Sequence, residues 1–260
     1  MGLYNNIRVL LLCGPGSSSN IIYNALAVKE HIEVVGVVIE KKQSTKLMLK
    51  RRIKRLGVLK VFGQVIFIGI AKLNQMIRQK RIAELILQLG LDRTEIPHHV
   101  ISKVKTVNSE SAKEIVKSQN YDAVIVNGTR IINKSQLKAS QAPMINIHMG
   151  ITPKYRGVHG GYWALANDDT SNCGVTVHLI DQGIDTGDVL YQDRISPTSK
   201  DNFNTYPIRQ MAAAIPLLIR ALEDIKMNTL EPKDIDLPSK LWYHPTLWGY
   251  LATRIMRGVK

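Results

Sequence analysis

Cysteine is scarce in this chain of 260 residues, and neither cysteine belongs to a recognisable pattern. Cys13 and Cys173 are too few for a disulfide framework, and no CxxC motif or Cys/His cluster indicates zinc. The sequence therefore predicts a protein of a reducing compartment, the cytoplasm, that binds no metal ion. If a reaction is catalysed, chelators are expected to leave its rate unchanged.

Long apolar runs are also lacking. We expect no stretch to reach the roughly 18 apolar residues that a membrane-spanning helix needs. The run Leu10–Cys13 is too short for a lipoprotein signal and lacks a small residue before the cysteine, so it favours a buried strand. A composition of 45% hydrophobic and 22% charged residues is ordinary for a soluble globular protein.

Acidic residues are missing from one block of the sequence. Between Lys41 and Ala83 there is no Asp or Glu, although Lys and Arg are frequent there. Outside this block the chain is almost neutral, so the net charge of +14 has a local origin. Such a block is typical of a surface that meets an anionic partner, or of a solvated face.

The start of the chain has the pattern of an α/β domain. The apolar run Ile7–Cys13 ends in a Gly-rich turn, a helix is predicted from Ile21 to about Glu30, and a strand from Ile32 to Ile39. This order indicates a doubly wound, Rossmann-like sheet with mostly parallel strands. Ser109 is predicted to cap a helix that ends at Ser118. Further strands are predicted at Ser102–Val107, Tyr121–Val126, Met144–His148, Gly174–Ile180 and Val189–Arg194.

We predict two units, a catalytic domain over residues 1–205 and a helical C-terminal extension over 206–260. A basic helical insertion at about 41–95 interrupts the first. Its apolar residues Leu47, Leu49, Ile53 and Leu56 recur at helical spacing, and Val61–Ile70 is an apolar stretch too short to span a bilayer. Two hypotheses stay open for residues 41–83: docking on an anionic membrane surface at the inner face, or on a partner, and packing on the domain with solvated charges.

Polar residues with catalytic potential follow two predicted strands. Asn146 and His148 alternate on one strand and therefore point the same way, and Asp185 lies in a Gly-rich loop. An amide, an imidazole and a carboxylate form a usable set for acyl transfer. Alone, His148 would more simply be a core histidine and Asp185 a turn former. The remaining histidines of the chain are expected to be surface or structural residues, namely His98, His99, His159 and His244.

Two segments together resemble the formyltransferase family, which includes glycinamide ribonucleotide, methionyl-tRNA and sugar N-formyltransferases. The first runs from Asn146 through Pro153 to Gly157, and the second from Asp181 to Gly187, matching Asn-x-His, Pro-x-x-Arg-Gly and Asp-x-Gly-x-Asp-x-Gly. The resemblance covers roughly residues 7–40 and 100–225. It implies that Asn146, His148 and Asp185 are the catalytic residues.

The same resemblance implies 10-formyltetrahydrofolate as the co-substrate. The substrate amine would attack the formyl carbon, Asn146 and protonated His148 would stabilise the oxyanion, and water held by Asp185 and His148 would carry the proton. No metal or nucleophilic residue is required. The sequence after the fourth strand, Asn127-Gly-Thr-Arg-Ile-Ile132, departs from the family's usual spacing, and so does Met149–Thr152. The implied folate-binding residues are Arg130, Ile131, Ile132, Leu179, Ile180, Asp181 and Gly183.

The amine substrate is expected to carry a phosphate. Gly14, Gly16 and Ser17 lie in a loop similar to the phosphate-binding loop of glycinamide ribonucleotide formyltransferase, although a plain tight turn would look alike. Tyr155 and Arg156 either bind the substrate or brace their loop.

A nucleotide-linked amino sugar is the leading substrate. The alternatives are glycinamide ribonucleotide, or a non-catalytic relative that binds membrane or nucleic acid. Methionyl-tRNA is disfavoured because those enzymes carry a larger C-terminal β-barrel, and only about 50 residues without strand signals remain here. We expect no nucleic-acid partner, and a homodimer is a further hypothesis.

Overall fold

A seven-stranded sheet forms the centre of the molecule. A computed structural model describes residues 6–260, apart from the side chain of Leu47. The sheet order is β3-β2-β1-β4-β5-β7-β8, in which β7 and β8 run antiparallel to their neighbours and the other pairs are parallel. The predicted Rossmann-like fold class is therefore confirmed. In chain order the strands are β1 (Ile7–Cys13), β2 (Ile32–Glu40), β3 (Ile101–Val104), β4 (Ala123–Asn127), β5 (Met144–His148), β6 (Arg156–Gly157), β7 (Gly174–Leu179), β8 (Val189–Arg194) and β9 (Leu241–Trp242).

Helices cover both faces of this sheet. Strand β1 is buried from Val9 to Cys13, and its alternate side chains enter two cores: Val9 and Leu11 pack with helices α1 (Ser17–Ala27) and α8 (Tyr206–Met227), whereas Leu10 and Leu12 pack with α5 (Glu110–Ser118). The α-helices are α1 (Ser17–Ala27), α2 (Thr45–Leu56), α3 (Val58–Ile77), α4 (Gln79–Gln88), α5 (Glu110–Ser118), α6 (Lys134–Leu137), α7 (Gly160–Ala166), α8 (Tyr206–Met227) and α9 (Leu247–Arg257).

Local signals anticipate several of these boundaries. Ser109 caps α5 as predicted, because its side chain accepts the Ala112 N–H. Strand β3 is shorter than predicted and ends at Val104 instead of Val107. Beyond Val104 the chain leaves the sheet, and the Val107 N–H donates to the buried carboxylate of Glu40 rather than to a strand.

Helices α2, α3 and α4 form the basic insertion between β2 and β3. The expectation that no stretch is long enough to cross a membrane is wrong on length and composition, because the 20 residues of α3 pass that test. Lys60, Lys72 and Asn74 interrupt the apolar run in sequence without ending the helix. On its inner side α3 contacts the domain: Gln64 donates to the His244 carbonyl at 2.8 Å, and Phe67 packs on Phe203.

The C-terminal residues return to the domain in three ways. Helix α8 packs on the sheet, where Met211 and Leu218 join the core. Strand β9, which the sequence did not predict, pairs in parallel with β6. Helix α9 packs on α3, where the Tyr250 ring lies 5.0 Å from that of Phe67. The domain boundary at residue 205 stays a prediction.

Candidate active site

A cavity of about 780 Å³ lies beside the carboxyl ends of β4 and β5. This edge is where α/β sheets usually bind ligands, because loops leave the sheet there. Asn146 and His148 reach the cavity from β5, and Asp185 reaches it from the loop between β7 and β8. The structure thus brings together the three residues that the sequence predicts to be catalytic.

Asn146 is held by a histidine on the neighbouring strand. In the antiparallel pair of β5 and β7, Asn146 lies directly opposite His178. Nδ1 of His178 donates to the Leu179 carbonyl at 2.6 Å, so Nε2 is left to accept an amide hydrogen from Asn146 at 3.1 Å. The second amide hydrogen of Asn146 faces Asp185 only at 3.5 Å, and it therefore remains available to a carbonyl oxygen in the cavity.

Both ring nitrogens of the buried His148 face acceptors. Nε2 donates to the Tyr155 carbonyl at 2.6 Å, and Nδ1 lies 3.3 Å from Oδ2 of Asp185. Burial lowers the pKa of His148, while Asp185 and the Tyr155 carbonyl oppose that shift. The ring is therefore neutral at rest, and a proton that arrives at Nδ1 completes a hydrogen bond to Asp185.

Asp185 is ionised and rigidly placed. Burial alone would raise its pKa, but the nearby rings of His148 and His178 and a hydrogen bond from the Gly157 N–H outweigh burial and lower the pKa to about 2. Its backbone has a φ of 51°, in the left-handed region that Asp tolerates better than most residues. The site thus contains an amide donor, a neutral base and a fixed carboxylate within contact of one another.

The predicted folate-binding residues surround the cavity unevenly. Ile131, Ile132, Ile180, Asp181 and Gly183 line it, and Leu179 does not. Asp181 shapes its own loop, since its carboxylate accepts the Gly183 N–H and the Thr186 hydroxyl.

Arg130 lines the cavity, but its guanidinium is turned away from it. It donates to Glu40 and to the Lys41 carbonyl, both at 2.8 Å. Arg130 therefore connects the loop after β4 to the end of β2, and its guanidinium stabilises this contact.

The residues predicted to bind the amine are only partly in the cavity. Ser17 lines it, together with Ser18 and Arg93, whereas Gly14 and Gly16 do not. Gly14 instead permits a close approach of two loops, because a Cβ on it would lie 2.1 Å from the Gly128 carbonyl oxygen.

Tyr155 and Arg156 contact the candidate catalytic residues or their loop and do not line the cavity. The Tyr155 hydroxyl donates to Asp169, while its carbonyl holds His148. Arg156 donates to the Ile184 carbonyl at 3.0 Å and so braces the loop that carries Asp185.

Three histidines near the cavity have partners that the sequence did not reveal. His178 is one of them, because its pairing with Asn146 depends on the order of the strands. The other two, His159 and His244, hydrogen bond to each other at 2.8 Å. Burial, the neighbouring ring and Arg52 lower the pKa of His159 to about 3, and burial and Arg52 lower that of His244 to about 4.

Comparisons with known proteins agree with this geometry. A family profile described as "Formyl transferase" matches residues 7–222. The chain is 32% identical over 133 residues to a methionyl-tRNA formyltransferase of Thermodesulfovibrio yellowstonii, covering 51% of this chain and 39% of that protein. It is 34% identical over 140 residues to the one from Campylobacter curvus, covering 54% and 45%. The chain thus matches less than half the length of these relatives.

Solved structures with the same fold include two enzymes with different names. A sugar N-formyltransferase from Shewanella has a TM-score of 0.56 at 18% identity, covering 90% of this chain and 76% of that one. A phosphoribosylglycinamide formyltransferase from Coxiella burnetii has a TM-score of 0.57 at 19% identity, covering 89% and 92%. The family profile spans most of the sequence and contains all three candidate catalytic residues, so the chain belongs to the formyltransferase family.

Proposed function

We propose that the chain transfers a formyl group from 10-formyltetrahydrofolate to the amino group of a nucleotide-linked amino sugar. The observation that carries this proposal is the convergence of Asn146, His148 and Asp185 on one cavity, with Nδ1 of His148 3.3 Å from the Asp185 carboxylate. An amide donor next to a base and a carboxylate is a combination suited to acyl transfer.

A folate beside the candidate catalytic residues is supported by the lining of the cavity. Val126, Ile132 and Ile180 supply apolar walls for a flat ring, and the loop of Asp181 and Gly183 supplies polar backbone. The folate would contribute the formyl group as an activated amide. Val126 lies in β4 and Ile132 in the loop after it, whereas Ile180, Asp181 and Gly183 lie in the loop after β7, which also carries Asp185.

Residues of the chain can stabilise the negative charge that develops on the carbonyl oxygen and can accept the proton that the amine loses. When an amine adds to a formyl carbonyl, negative charge develops on the oxygen, and the free N–H of Asn146 can donate to it. The amine must also lose a proton, which Nδ1 of neutral His148 can accept. Asp185, kept ionised by its surroundings, then stabilises the imidazolium. The imidazolium would return this proton to N10 of the folate as the bond between N10 and the formyl carbon breaks, so that tetrahydrofolate leaves and His148 is neutral again.

An anionic group on the amine substrate is supported by the part of the cavity that Ser17, Ser18 and Arg93 line. Ser17 and Ser18 form the first turn of α1, where helix N–H groups lack partners within the helix and the dipole favours negative charge. Arg93 lines the cavity as well and adds a positive charge. Gln75 and Ile82 of the insertion also line the cavity. A sugar N-formyltransferase from Shewanella has the same fold.

Two other amines have specific support. Methionyl-tRNA is supported by the curated relatives from Thermodesulfovibrio yellowstonii and Campylobacter curvus, and the basic insertion would suit a polyanion. Glycinamide ribonucleotide is supported by the likeness of the loop at Gly14–Asn20 and by the enzyme from Coxiella burnetii that shares the fold. Both amines are therefore tested beside the amino sugar in one assay.

The test compares amines at a fixed concentration of 10-formyltetrahydrofolate. Tetrahydrofolate release and the mass of the formylated product are measured with nucleotide-linked amino sugars, glycinamide ribonucleotide and methionyl-tRNA. We expect the highest kcat/KM with an amino sugar. A higher value with either other amine would reject the sugar and keep formyl transfer.

Substitution of Arg93 by Met tests whether this part of the cavity binds an anionic group of the amine substrate. It should raise the KM for the phosphate-bearing amine by about tenfold, because one charge-assisted contact is lost. The KM for the folate should change little, and equal effects on both substrates would contradict the placement.

A further inference from the structure

The outer side of helix α3 is apolar along its whole length. Exposed positions recur every three or four residues, at Val58, Phe62, Val65, Gly69, Leu73 and Met76, and the apolar side chains among them are 44% to 68% exposed. Residues with this spacing share one side of a helix. The inner side contains Gln64 and Phe67, which contact the domain. A surface helix normally turns its polar side outward, so the arrangement of α3 is inverted.

Helix α9 extends this apolar surface. Trp248, Leu251 and Ile255 also recur at helical spacing and are exposed. The Trp248 ring packs against Gly63 of α3, where a Cβ would lie 2.3 Å from it, and yet 47% of the residue is exposed. Trp248 therefore joins the two stripes at the helix contact. We call the exposed stripes of the two helices the α3–α9 face.

Positive charge borders the α3–α9 face. Helix α2 leads directly into α3 and carries the exposed side chains of Lys46, Lys50, Arg51 and Lys54. Within the part of the chain that the structure describes, none of these cations forms an ion pair with a carboxylate. Residues 41–83 contain no acidic residue, so helices α2 and α3 carry no carboxylate that offsets this charge.

We propose that the α3–α9 face docks on an anionic lipid bilayer, with α3 lying in the plane of the membrane surface. Apolar side chains on one face, a tryptophan and flanking Lys and Arg residues are the composition of interfacial helices. Anionic headgroups attract the cations, and the acyl boundary takes up the apolar side chains. A second copy on this face would bring two positively charged helices near each other, and nucleic acid would leave the apolar stripe in water.

Co-sedimentation of the full chain with vesicles tests the proposal. Vesicles of phosphatidylcholine alone are compared with vesicles that also contain phosphatidylglycerol. We expect binding at least about tenfold stronger to the anionic vesicles, and weaker binding as salt is added. Replacing Lys46, Lys50, Arg51 and Lys54 together by Glu should abolish it. Arg52 is left unchanged because it is half-buried near His159 and His244.

The apolar stripe is tested with a matched pair of double variants. Phe62→Ser with Leu73→Ser should weaken vesicle binding about tenfold or more. Val28→Ser with Met227→Ser removes two apolar side chains outside the face that are more exposed than Phe62 and Leu73, and should leave vesicle binding unchanged. Equal losses in both double variants would contradict the proposal.

Tryptophan fluorescence reports on the face itself. Trp163 and Trp242 stack on each other at 4.6 Å, whereas Trp248 is exposed. Anionic vesicles should shift the emission to the blue, and Trp248→Phe should remove that shift. Recovery of the chain in the supernatant with every vesicle overturns the proposal. So does a stable dimer in sedimentation velocity, without vesicle binding, that Phe62→Ser with Leu73→Ser dissociates, because the face then belongs to a second copy.

Discussion

Oδ2 of Asp185 lies 3.3 Å from Nδ1 of His148, and the same oxygen accepts the Gly157 N–H at 2.8 Å. The second ring nitrogen of His148 is already committed to the Tyr155 carbonyl. Only the imidazolium form satisfies both acceptors at once, although burial favours the neutral ring. Under the proposed function, His148 would act as a base, because protonation at Nδ1 adds a hydrogen bond to Asp185.

Removing either member of this pair should stop turnover without unfolding the chain. We expect His148→Ala and Asp185→Asn each to lower kcat by about 10²–10⁴, because a transition-state group is lost. Asn is chosen at 185 because it tolerates the φ of 51° there, which an alanine would strain. Circular dichroism and thermal unfolding serve as controls. Near-normal rates in either variant, with the preferred amine, would show that the site is assigned wrongly.

His178 is expected to act as a positioning residue for Asn146. Its Nε2 accepts the Asn146 amide at 3.1 Å, so His178→Ala leaves a buried donor without that partner. We expect kcat to fall about tenfold to hundredfold while the KM for the amine changes little. His178→Gln keeps an acceptor and should recover part of the loss. If both variants only lowered thermal stability, with kcat unchanged, the role would be structural.

The pair of His159 and His244 should make stability depend on pH. Their folded pKa values, about 3 and about 4, lie below the ordinary value of 6.5. Below about pH 6.5 the unfolded chain therefore binds protons that the folded chain does not, and the free energy of unfolding falls as pH falls toward 4. Part of this dependence should be lost when His159→Asn and His244→Gln are combined. Asn suits position 159, where φ is 61°.

Denaturant unfolding from pH 7 to pH 4 measures the difference in free energy between the wild type and this double variant. As the pH is lowered, the free energy of unfolding should fall more for the wild type than for the double variant. A difference that stays constant over this range would mean that the two rings do not titrate as a buried pair. Arg52, whose charge lowers both pKa values, is present in both proteins.

Gly14 should matter for folding. An added Cβ would meet the Gly128 carbonyl at 2.1 Å, so Gly14→Ala is expected to cost about 1–3 kcal/mol of unfolding free energy. Gly69→Ala is the control, since no atom lies within 4 Å of its added Cβ and the position is helical. It should be neutral or stabilise by about 0.5–1 kcal/mol. Equal effects of the two substitutions would contradict the close approach at Gly14.

Features of the structure that depend on neighbouring residues in the sequence were predicted correctly. The apolar run of β1, the cap at Ser109 and the alternation of Asn146 and His148 depend on neighbours in sequence, and the structure has all three. The 20-residue helix α3 was underestimated, because polar residues that interrupt an apolar run can lie on one side of a helix.

Contacts between segments that are far apart in the sequence could not be predicted from it. His178 meets Asn146 only because β7 pairs with β5, and the histidine pair forms only because the C-terminal tail returns to α7. The turn of Arg130 toward Glu40 has the same origin, since it joins two loops about 90 residues apart. Spacing within a motif therefore predicted which three residues lie together at the cavity, and it did not predict which residues surround them.

The most direct test of the central claim follows the formyl group itself. The chain is incubated with 10-formyltetrahydrofolate isotope-labelled at the formyl carbon and with the best amine of the panel, and the label is traced by mass spectrometry. The account predicts equal amounts of labelled formyl-amine and tetrahydrofolate from the wild type, and neither above background from His148→Ala. Tetrahydrofolate that accumulates with free formate and no labelled amine would mean hydrolysis, and would contradict the account.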